Sequence, residues 1–206
     1  MKWLYIILLT LILVSCSHNP VNGFKELTVY LQPYNNFTTQ EASILQADIQ
    51  NCFDTLVPEI SVKVHLLEVD TLPKKYINTA RHRYRADSII RNQHPQSGYI
   101  LGLTHSDIST TAHGINDYGV LGLSTCPGHS AVVSDYRVSN KSLFYKVGVH
   151  ELLHCFGLKH CPNNDRNCYI CDANKKPQLE KQIYICNTCK QKLLHYYGGL
   201  SIPKVY

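Results

Sequence analysis

Residues 150–161 of this chain read His150-Glu151-Leu152-Leu153-His154-Cys155-Phe156-Gly157-Leu158-Lys159-His160-Cys161. They contain the pattern H-E-x-x-H, extended to H-E-x-x-H-x-x-G-x-x-H. On a helix, His150 and His154 are four residues apart and share one face, where both can bind a single zinc ion. Gly157 can adopt the left-handed conformation that ends a helix, so that the chain turns and brings His160 back as a third nitrogen ligand.

This pattern predicts a catalytic zinc site. Three histidines leave the fourth tetrahedral position of zinc to water, whereas structural zinc sites are closed by four protein ligands. Glu151 lies beside the histidines, where it can take a proton from the zinc-bound water. We therefore expect peptide hydrolysis by Glu-assisted attack of that water. The alternative is a zinc site that has kept its ligands and lost its activity.

Length and composition limit the other classes of function. The chain has 206 residues, of which 44% are hydrophobic and 17% charged, as in an ordinary globular protein with one core. Its net charge of +5 is mild and scattered, so nucleic acid is not an expected partner. We expect a monomer.

The N-terminus indicates export. Lys2 is followed by an apolar run from Trp3 to Val14, which is shorter than the roughly 20 residues of a membrane span and fits the apolar part of a secretory signal. The run ends at Ser15-Cys16, which resembles a bacterial lipobox with Cys16 as the lipidated residue. We predict a signal peptide over residues 1–15, with a plain cleaved signal as the alternative.

This prediction has consequences for location. Residues 16–25 would form a lipid-anchored tether. The lipid would hold the protein on a bacterial membrane surface, at the periplasmic or cell-surface face. Residues 26–206 would then form a single soluble domain, with sheets and helices in residues 26–157 and a cysteine-rich part in residues 158–206.

Hydrophobic periodicity predicts alternating strands and helices. The expected strands cover residues 27–31, 60–69, 99–104, 120–124 and 131–134. The expected helices are one capped by Thr38 with Glu41 and ended by Pro58, and three more over residues 77–92, 142–156 and 188–197. The fold class is therefore mixed α/β, or α+β, with helices packed on a mixed sheet. The segment 119–135 could supply an edge strand that holds an extended peptide, or it could simply complete the sheet.

The chain has nine cysteines, and five of them cluster near the C-terminus. Cys168 and Cys171 form one C-x-x-C pair, and Cys186 and Cys189 form another. Two such pairs are typical of a four-cysteine structural zinc site, and spacing alone selects these four residues as ligands. Disulfides are the alternative, because exported proteins form them.

With Cys161, Cys168, Cys186 and Cys189 added to the histidine pattern, the chain resembles the archaemetzincin family of metallopeptidases from about Gly119 to Leu194. The resemblance implies a metzincin-like zincin fold, a twisted mixed sheet with an active-site helix and a zinc-stapled C-terminal part. It also implies two zinc ions. The catalytic ion would be bound by His150, His154 and His160, with Glu151 as the base. The structural ion would be bound by Cys161, Cys168, Cys186 and Cys189, with Cys171 as an alternative ligand to Cys161.

The chain departs from the family pattern in two respects: six residues, not four, separate Cys161 from Cys168, and one apolar position differs. The family has a methionine two residues after the cysteine that corresponds to Cys168, and this chain has Ile170 there. In metzincins that methionine packs beneath the histidines and does not bind the metal. Isoleucine is also apolar and of similar volume, so it could fill the space at a cost below about 1.5 kcal/mol.

Two functions other than peptide cleavage fit the same residues. One is a catalytically inactive, zinc-stabilised lipoprotein with a binding role. The other is a zinc-ribbon binding module in which the cysteine cluster is the functional part. The expected partners of the leading hypothesis are a peptide or protein substrate and, through the lipid, a membrane surface.

Overall fold

The computed structural model describes residues 26–95, 97–173 and 178–197. The signal peptide, Cys16 and the tether predicted for residues 1–25 lie outside these ranges. The strands are β1 Leu27–Pro33, β2 Val62–Leu66, β3 Ile77–Asn78, β4 Arg83–Arg85, β5 Tyr99–Thr104, β6 Ile108–Ala112, β7 Ile115–Val120, β8 Gly122–Ser124 and β9 Ser130–Ser134. The α-helices are α1 Thr39–Leu56, α2 Ala86–Asn92, α3 Phe144–Cys155 and α4 Asn187–Tyr197.

A five-stranded mixed sheet forms the centre of the fold. Its order is β2-β1-β5-β9-β8. The first four strands are mutually parallel, and β8 runs antiparallel to β9 at the edge. All six residues of β5 are buried, as expected for a central strand covered on both faces. The predicted mixed α/β fold is therefore confirmed, and the predicted edge strand is β8.

Helices α1 and α3 pack together on one face of this sheet. The capping box that begins α1 is present, because the Thr38 and Glu41 side chains each accept the other residue's backbone N–H. Leu45, Ile49 and Phe53 of α1 are buried against the sheet and α3, whereas Ile44 is exposed to solvent. Gly148 lets the two helices approach closely, because a Cβ there would lie 3.1 Å from side-chain atoms of Ile49 and Leu101. None of the described helices is long and apolar enough to cross a membrane.

The opposite face carries α2 and a second sheet that the sequence did not predict. This sheet has four strands in the order β3-β4-β6-β7. The helix predicted over residues 77–92 is wrong in its first half, where the chain forms β3 and β4 instead. His82 has a left-handed φ of 52°, which interrupts a helix. Arg83 binds Asp107 at 2.7 Å, and this long-range pair helps to hold β4 beside β6.

The cysteine-rich part contains α4 and otherwise irregular segments. Helix α4 covers residues 187–197 and agrees with the predicted helix to within one residue. Its Cys189 and Leu193 are buried in the main core. At its end, the Tyr197 hydroxyl lies 3.0 Å from the hydroxyl of Tyr99 on β5. The cysteine-rich part is therefore packed against the rest of the domain.

Candidate active site

The end of α3 turns the chain so that His160 returns to His150 and His154. Gly157 has a φ of +96°, and the amides of Gly157 and Leu158 donate to carbonyls in the last turns of α3 at 2.8 and 3.0 Å. These two bonds make the Schellman motif that closes many helices. The His160 ring centroid then lies 4.8 Å from that of His154 and 5.6 Å from that of His150.

Backbone carbonyls orient two of the three imidazoles. His150 donates from Nδ1 to the carbonyl of Tyr169 at 2.8 Å, and His154 donates from Nδ1 to the carbonyl of Leu158 at 2.6 Å. Each neutral ring therefore keeps its lone pair at Nε2. The two Nε2 atoms face each other at 3.2 Å. Two nitrogens on a tetrahedral zinc with bonds of 2.0–2.1 Å would be about 3.3 Å apart.

The electrostatics of the site also fit a metal ion. Burial lowers the pKa of both His150 and His154 to about 4, and each ring's charge would disfavour that of its neighbours. At neutral pH neither Nε2 carries a proton, so two lone pairs converge with no hydrogen between them. The ligand atoms of His150, His154 and His160 all lie within 4.8 Å of one another. This donor set suits a zinc ion.

Glu151 lies beside the histidines and against the edge strand. It is 8% exposed, and burial raises the pKa of its carboxyl, although the nearby His154 and a hydrogen bond from Ser124 act in the opposite direction. Ser124 Oγ on β8 donates to Glu151 Oε2 at 2.6 Å. Nothing in the sequence marked Ser124, because its approach to Glu151 depends on the pairing of β8 with β9.

A cleft of about 520 Å³ opens over these residues. It is bounded on one side by β7 and β8 and on the other by residues 171–173, Leu179 and Gln182 of the cysteine-rich part. His150, Glu151 and His160 lie in its lining. His113, which lies between β6 and β7, also lines the cleft. Glu151, His150 and His160 can therefore be reached from solvent through the cleft.

Four cysteines form a second cluster. The Sγ atoms of Cys161, Cys168, Cys186 and Cys189 all lie within 4.8 Å of one another, and all four residues are buried. The Cys161 and Cys186 sulfurs are 3.6 Å apart, close to the roughly 3.8 Å between two ligands of a tetrahedral zinc with 2.3 Å bonds. Cys171 is buried but lies outside this cluster. The structure thus brings together the four cysteines that the resemblance implied.

None of the described cysteines forms a disulfide. Cys52 and Cys126 are both free. Cys155 is 1% exposed and packs in the core. Burial raises the pKa of Cys161, but hydrogen bonds with the backbone at Asp165 and Asn163 and with the Cys186 and Cys189 side chains together lower it below its usual value. A thiolate at Cys161 is the form that binds metals.

One short segment connects the two clusters. The Tyr169 carbonyl accepts the hydrogen bond from His150, and the next carbonyl, that of Ile170, accepts one from the Cys161 amide at 2.8 Å. Ile170 is fully buried in the main core, at the position where the family pattern has methionine. Cys168 begins the same segment, so the position of the histidines depends on the cysteine cluster.

Comparison with known proteins agrees with this arrangement. A model of Peptidase family M54 matches residues 45–195. The archaemetzincin of Archaeoglobus fulgidus is 27% identical over 174 residues, which cover 81% of this chain and 99% of that protein. The archaemetzincin of Methanopyrus kandleri is 33% identical over 132 residues, which cover 59% of this chain and 72% of that protein.

Solved structures give the same result. The crystal structure of archaemetzincin from Methanopyrus kandleri superposes with a TM-score of 0.67 at 26% identity, covering 83% of this chain and 95% of that one. The structure from Archaeoglobus fulgidus gives a TM-score of 0.65 at 28% identity, covering 81% and 99%. The predicted resemblance to archaemetzincins is confirmed. This chain belongs to Peptidase family M54 and is a zinc metallopeptidase.

Proposed function

We propose that the protein cleaves peptide bonds with Glu151 as catalytic base and with His150, His154 and His160 as the ligands of the catalytic zinc. The observation that carries the proposal is the pair of Nε2 atoms that face each other at 3.2 Å in the cleft that Glu151 lines, with each Nδ1 directed at a backbone carbonyl. Zinc, when bound, polarises the scissile carbonyl and makes water a stronger acid.

Glu151 would perform the proton transfers. Its carboxylate accepts a proton from the attacking water and later passes it to the leaving amine. Burial raises the carboxyl pKa above its usual range, which favours the protonated form that can donate to the leaving amine. The Ser124 hydrogen bond fixes the carboxylate on the cleft side of the edge strand. An extended substrate would lie along β8 and bind it through main-chain hydrogen bonds.

The test is a single substitution. Glu151→Gln keeps the size of the side chain and removes its basicity, so we expect it to retain zinc and to cleave peptides about 10²–10⁴ times more slowly. The measurement is digestion of a peptide library, followed by mass spectrometry, with zinc content determined on the same samples. Glu68→Gln, at an exposed position after β2, is the matched control. Equal cleavage by Glu151→Gln would contradict the mechanism.

The same experiment addresses the alternative function. A zinc-stabilised protein with only a binding role would cleave no peptide in the library, in the wild type or in either variant. The wild-type digestion alone therefore separates an inactive zinc protein from a peptidase.

We further propose a second, structural zinc bound by Cys161, Cys168, Cys186 and Cys189. The separation of their sulfur atoms supports it, as does their burial without disulfides. Four thiolates close the coordination sphere and leave no position for water, which suits a structural and not a catalytic ion. The total would be two zinc ions per chain.

We also propose that Cys16 is lipidated and holds the domain on a bacterial membrane surface, with residues 1–15 removed. The support is the sequence pattern that ends at Cys16. Expression in a bacterial host should give a membrane-bound protein whose N-terminal cysteine carries lipid by mass spectrometry. Cys16→Ser should lose the lipid and leave the membrane fraction. A wild-type chain found only in the soluble fraction would overturn the proposal.

A further inference from the structure

A second cavity adjoins the cleft at β7. Its volume is about 490 Å³, and Gly119 and Leu121 are among the residues that line both this cavity and the cleft over Glu151. The charged residues in its lining are Arg81, Arg83, Asp117 and Arg137. Because three of these four residues are arginines, we call it the arginine cavity.

Asp107 holds two of the arginines in place. Arg137 donates to its carboxylate from Nε and Nη2, both at 2.7 Å, and Arg83 donates from Nε at 2.7 Å. Three charge-assisted hydrogen bonds therefore fix the two guanidinium groups. The Arg137 guanidinium lies directly over Gly119, where a Cβ would overlap it. A cation is thus fixed at the boundary between the cleft and the arginine cavity.

The exposed charge of the arginine cavity is positive. The side chains of Arg81 and Arg137 are 60% and 34% exposed, whereas those of Asp107 and Asp117 are only 12% and 11% exposed. Asp117 Oδ2 lies 3.9 Å from Arg81 Nε and 3.7 Å from Arg83 Nη1, which is too far for a hydrogen bond. Three arginines thus share two largely buried carboxylates, which leaves one positive charge in excess. An anion that enters this cavity can reach guanidinium groups more readily than carboxylates.

We propose that the arginine cavity is a specificity subsite in which Arg81 and Arg137 bind a carboxylate of the substrate peptide, from an Asp or Glu side chain or from the peptide C-terminus. The inference rests on the proposed function, because it takes a peptide as the ligand. Guanidinium groups match carboxylates in both geometry and charge. Gly119 and Gly122, which packs against Glu151, are three residues apart and so separated by at most about 10 Å. A peptide along this edge of the cleft would place its carboxylate within about three residues of the cleaved bond.

The test uses the zinc-loaded protein and pairs of peptides that differ only by a carboxylate or an amide. A peptide that the wild type cleaves is resynthesised with Glu or Gln at each position near the cleaved bond, and with its C-terminus free or amidated. We expect kcat/KM to be about tenfold higher for the carboxylate of one such pair, a ratio that we call the carboxylate preference. Added salt should weaken it, because the arginine cavity is open to solvent. A preference at a Glu position assigns the subsite to a side chain, and one confined to the free C-terminus assigns it to the peptide end.

Arg81 is the residue to substitute, because its exposed side chain makes no close ion pair with Asp117. Arg81→Gln should bring the carboxylate preference close to one, and Arg81→Glu should reverse it. Arg91→Glu is the matched control, because Arg91 is exposed on α2 and lines neither the cleft nor the arginine cavity. This control changes the net charge equally and should keep the wild-type preference.

The carboxylate preference separates recognition from a structural role. A purely structural Arg81 would lower the unfolding temperature when substituted and slow every peptide equally, so that the preference would not change. A preference near one in the wild type, or one that persists in both Arg81 variants, would overturn the inference while the proposed function stands. A wild type that cleaves no peptide would overturn the proposed function and this inference with it.

Discussion

Glu151 packs so closely against the edge strand that position 122 has no room for a side chain. A Cβ on Gly122 would lie 2.7 Å from both Cγ and Oε1 of Glu151. Two residues further along β8, Ser124 donates to the other carboxylate oxygen, Oε2. Strand β8 therefore fixes the carboxylate in two ways, by close packing at Gly122 and by the hydrogen bond from Ser124. The glycine at position 122 is needed for this close approach and not for an unusual backbone conformation.

Gly122→Ala should therefore reduce activity without unfolding the protein. The atoms that the new methyl group meets belong to the Glu151 side chain and not to the backbone, so the clash is relieved by displacing that side chain while the strand keeps its place. The displaced carboxylate no longer lies where it can accept the proton from water. We expect kcat/KM to fall at least tenfold, or about 1.4 kcal/mol of transition-state stabilisation. Steady-state kinetics, thermal unfolding and zinc content would be measured together.

A double-mutant cycle identifies the cause of any loss. In a Glu151→Gln background, Gly122→Ala should have almost no further effect on the rate, because the group that it displaces is already inactive. If the two losses multiply instead, the methyl group acts on substrate binding and not on Glu151.

At the scale of secondary structure, elements with local signals were predictable. Helix α1 begins with a capping box that is visible in the sequence, and α3 ends at a glycine that the structure shows with positive φ. The apolar run of β5 identified a fully buried strand to the residue. In each case, neighbours within a few positions determine the conformation, so the sequence pattern carries the information.

The elements that were missed depend on distant residues. Strand β4 pairs with β6, and Arg83 binds Asp107, 24 positions away. These distant contacts hold residues 77–85 in an extended conformation although the local sequence pattern predicts a helix. The site divides in the same way. The three histidines and Glu151 come from one local motif. Ser124 is brought to the cleft by the pairing of β8 with β9, and Gln182 by the hydrogen bond that its carbonyl accepts from Lys146. Sequence spacing also favoured Cys171, which folding leaves outside the cysteine cluster.

At the scale of the whole molecule, the two candidate metal centres are mechanically connected. The segment from Cys168 to Ile170 contributes a thiol to one cluster and orients His150 of the other. His160 and Cys161 are adjacent in sequence and belong to different clusters. The dependence is asymmetric, because the cysteine cluster holds the backbone that orients the histidines, whereas α3 is held independently by packing against α1 and the sheet.

Metal removal should reveal this asymmetry. Wild type is expected to bind two zinc ions per chain, and His154→Ala should lose one of them with little change in unfolding temperature. Cys189→Ser should lose the other, lower the unfolding temperature markedly, and make the remaining zinc easier to extract with a chelator, because His150 loses its fixed orientation. Cys171→Ser, a buried cysteine outside the cluster, is the matched control and should keep both ions. The zinc content of all four proteins would be measured by mass spectrometry during titration with a chelator.

A single zinc that the histidine substitution leaves in place would refute the two-site arrangement. Loss of zinc from Cys171→Ser would show that Cys171, and not Cys161, is the fourth cysteine ligand.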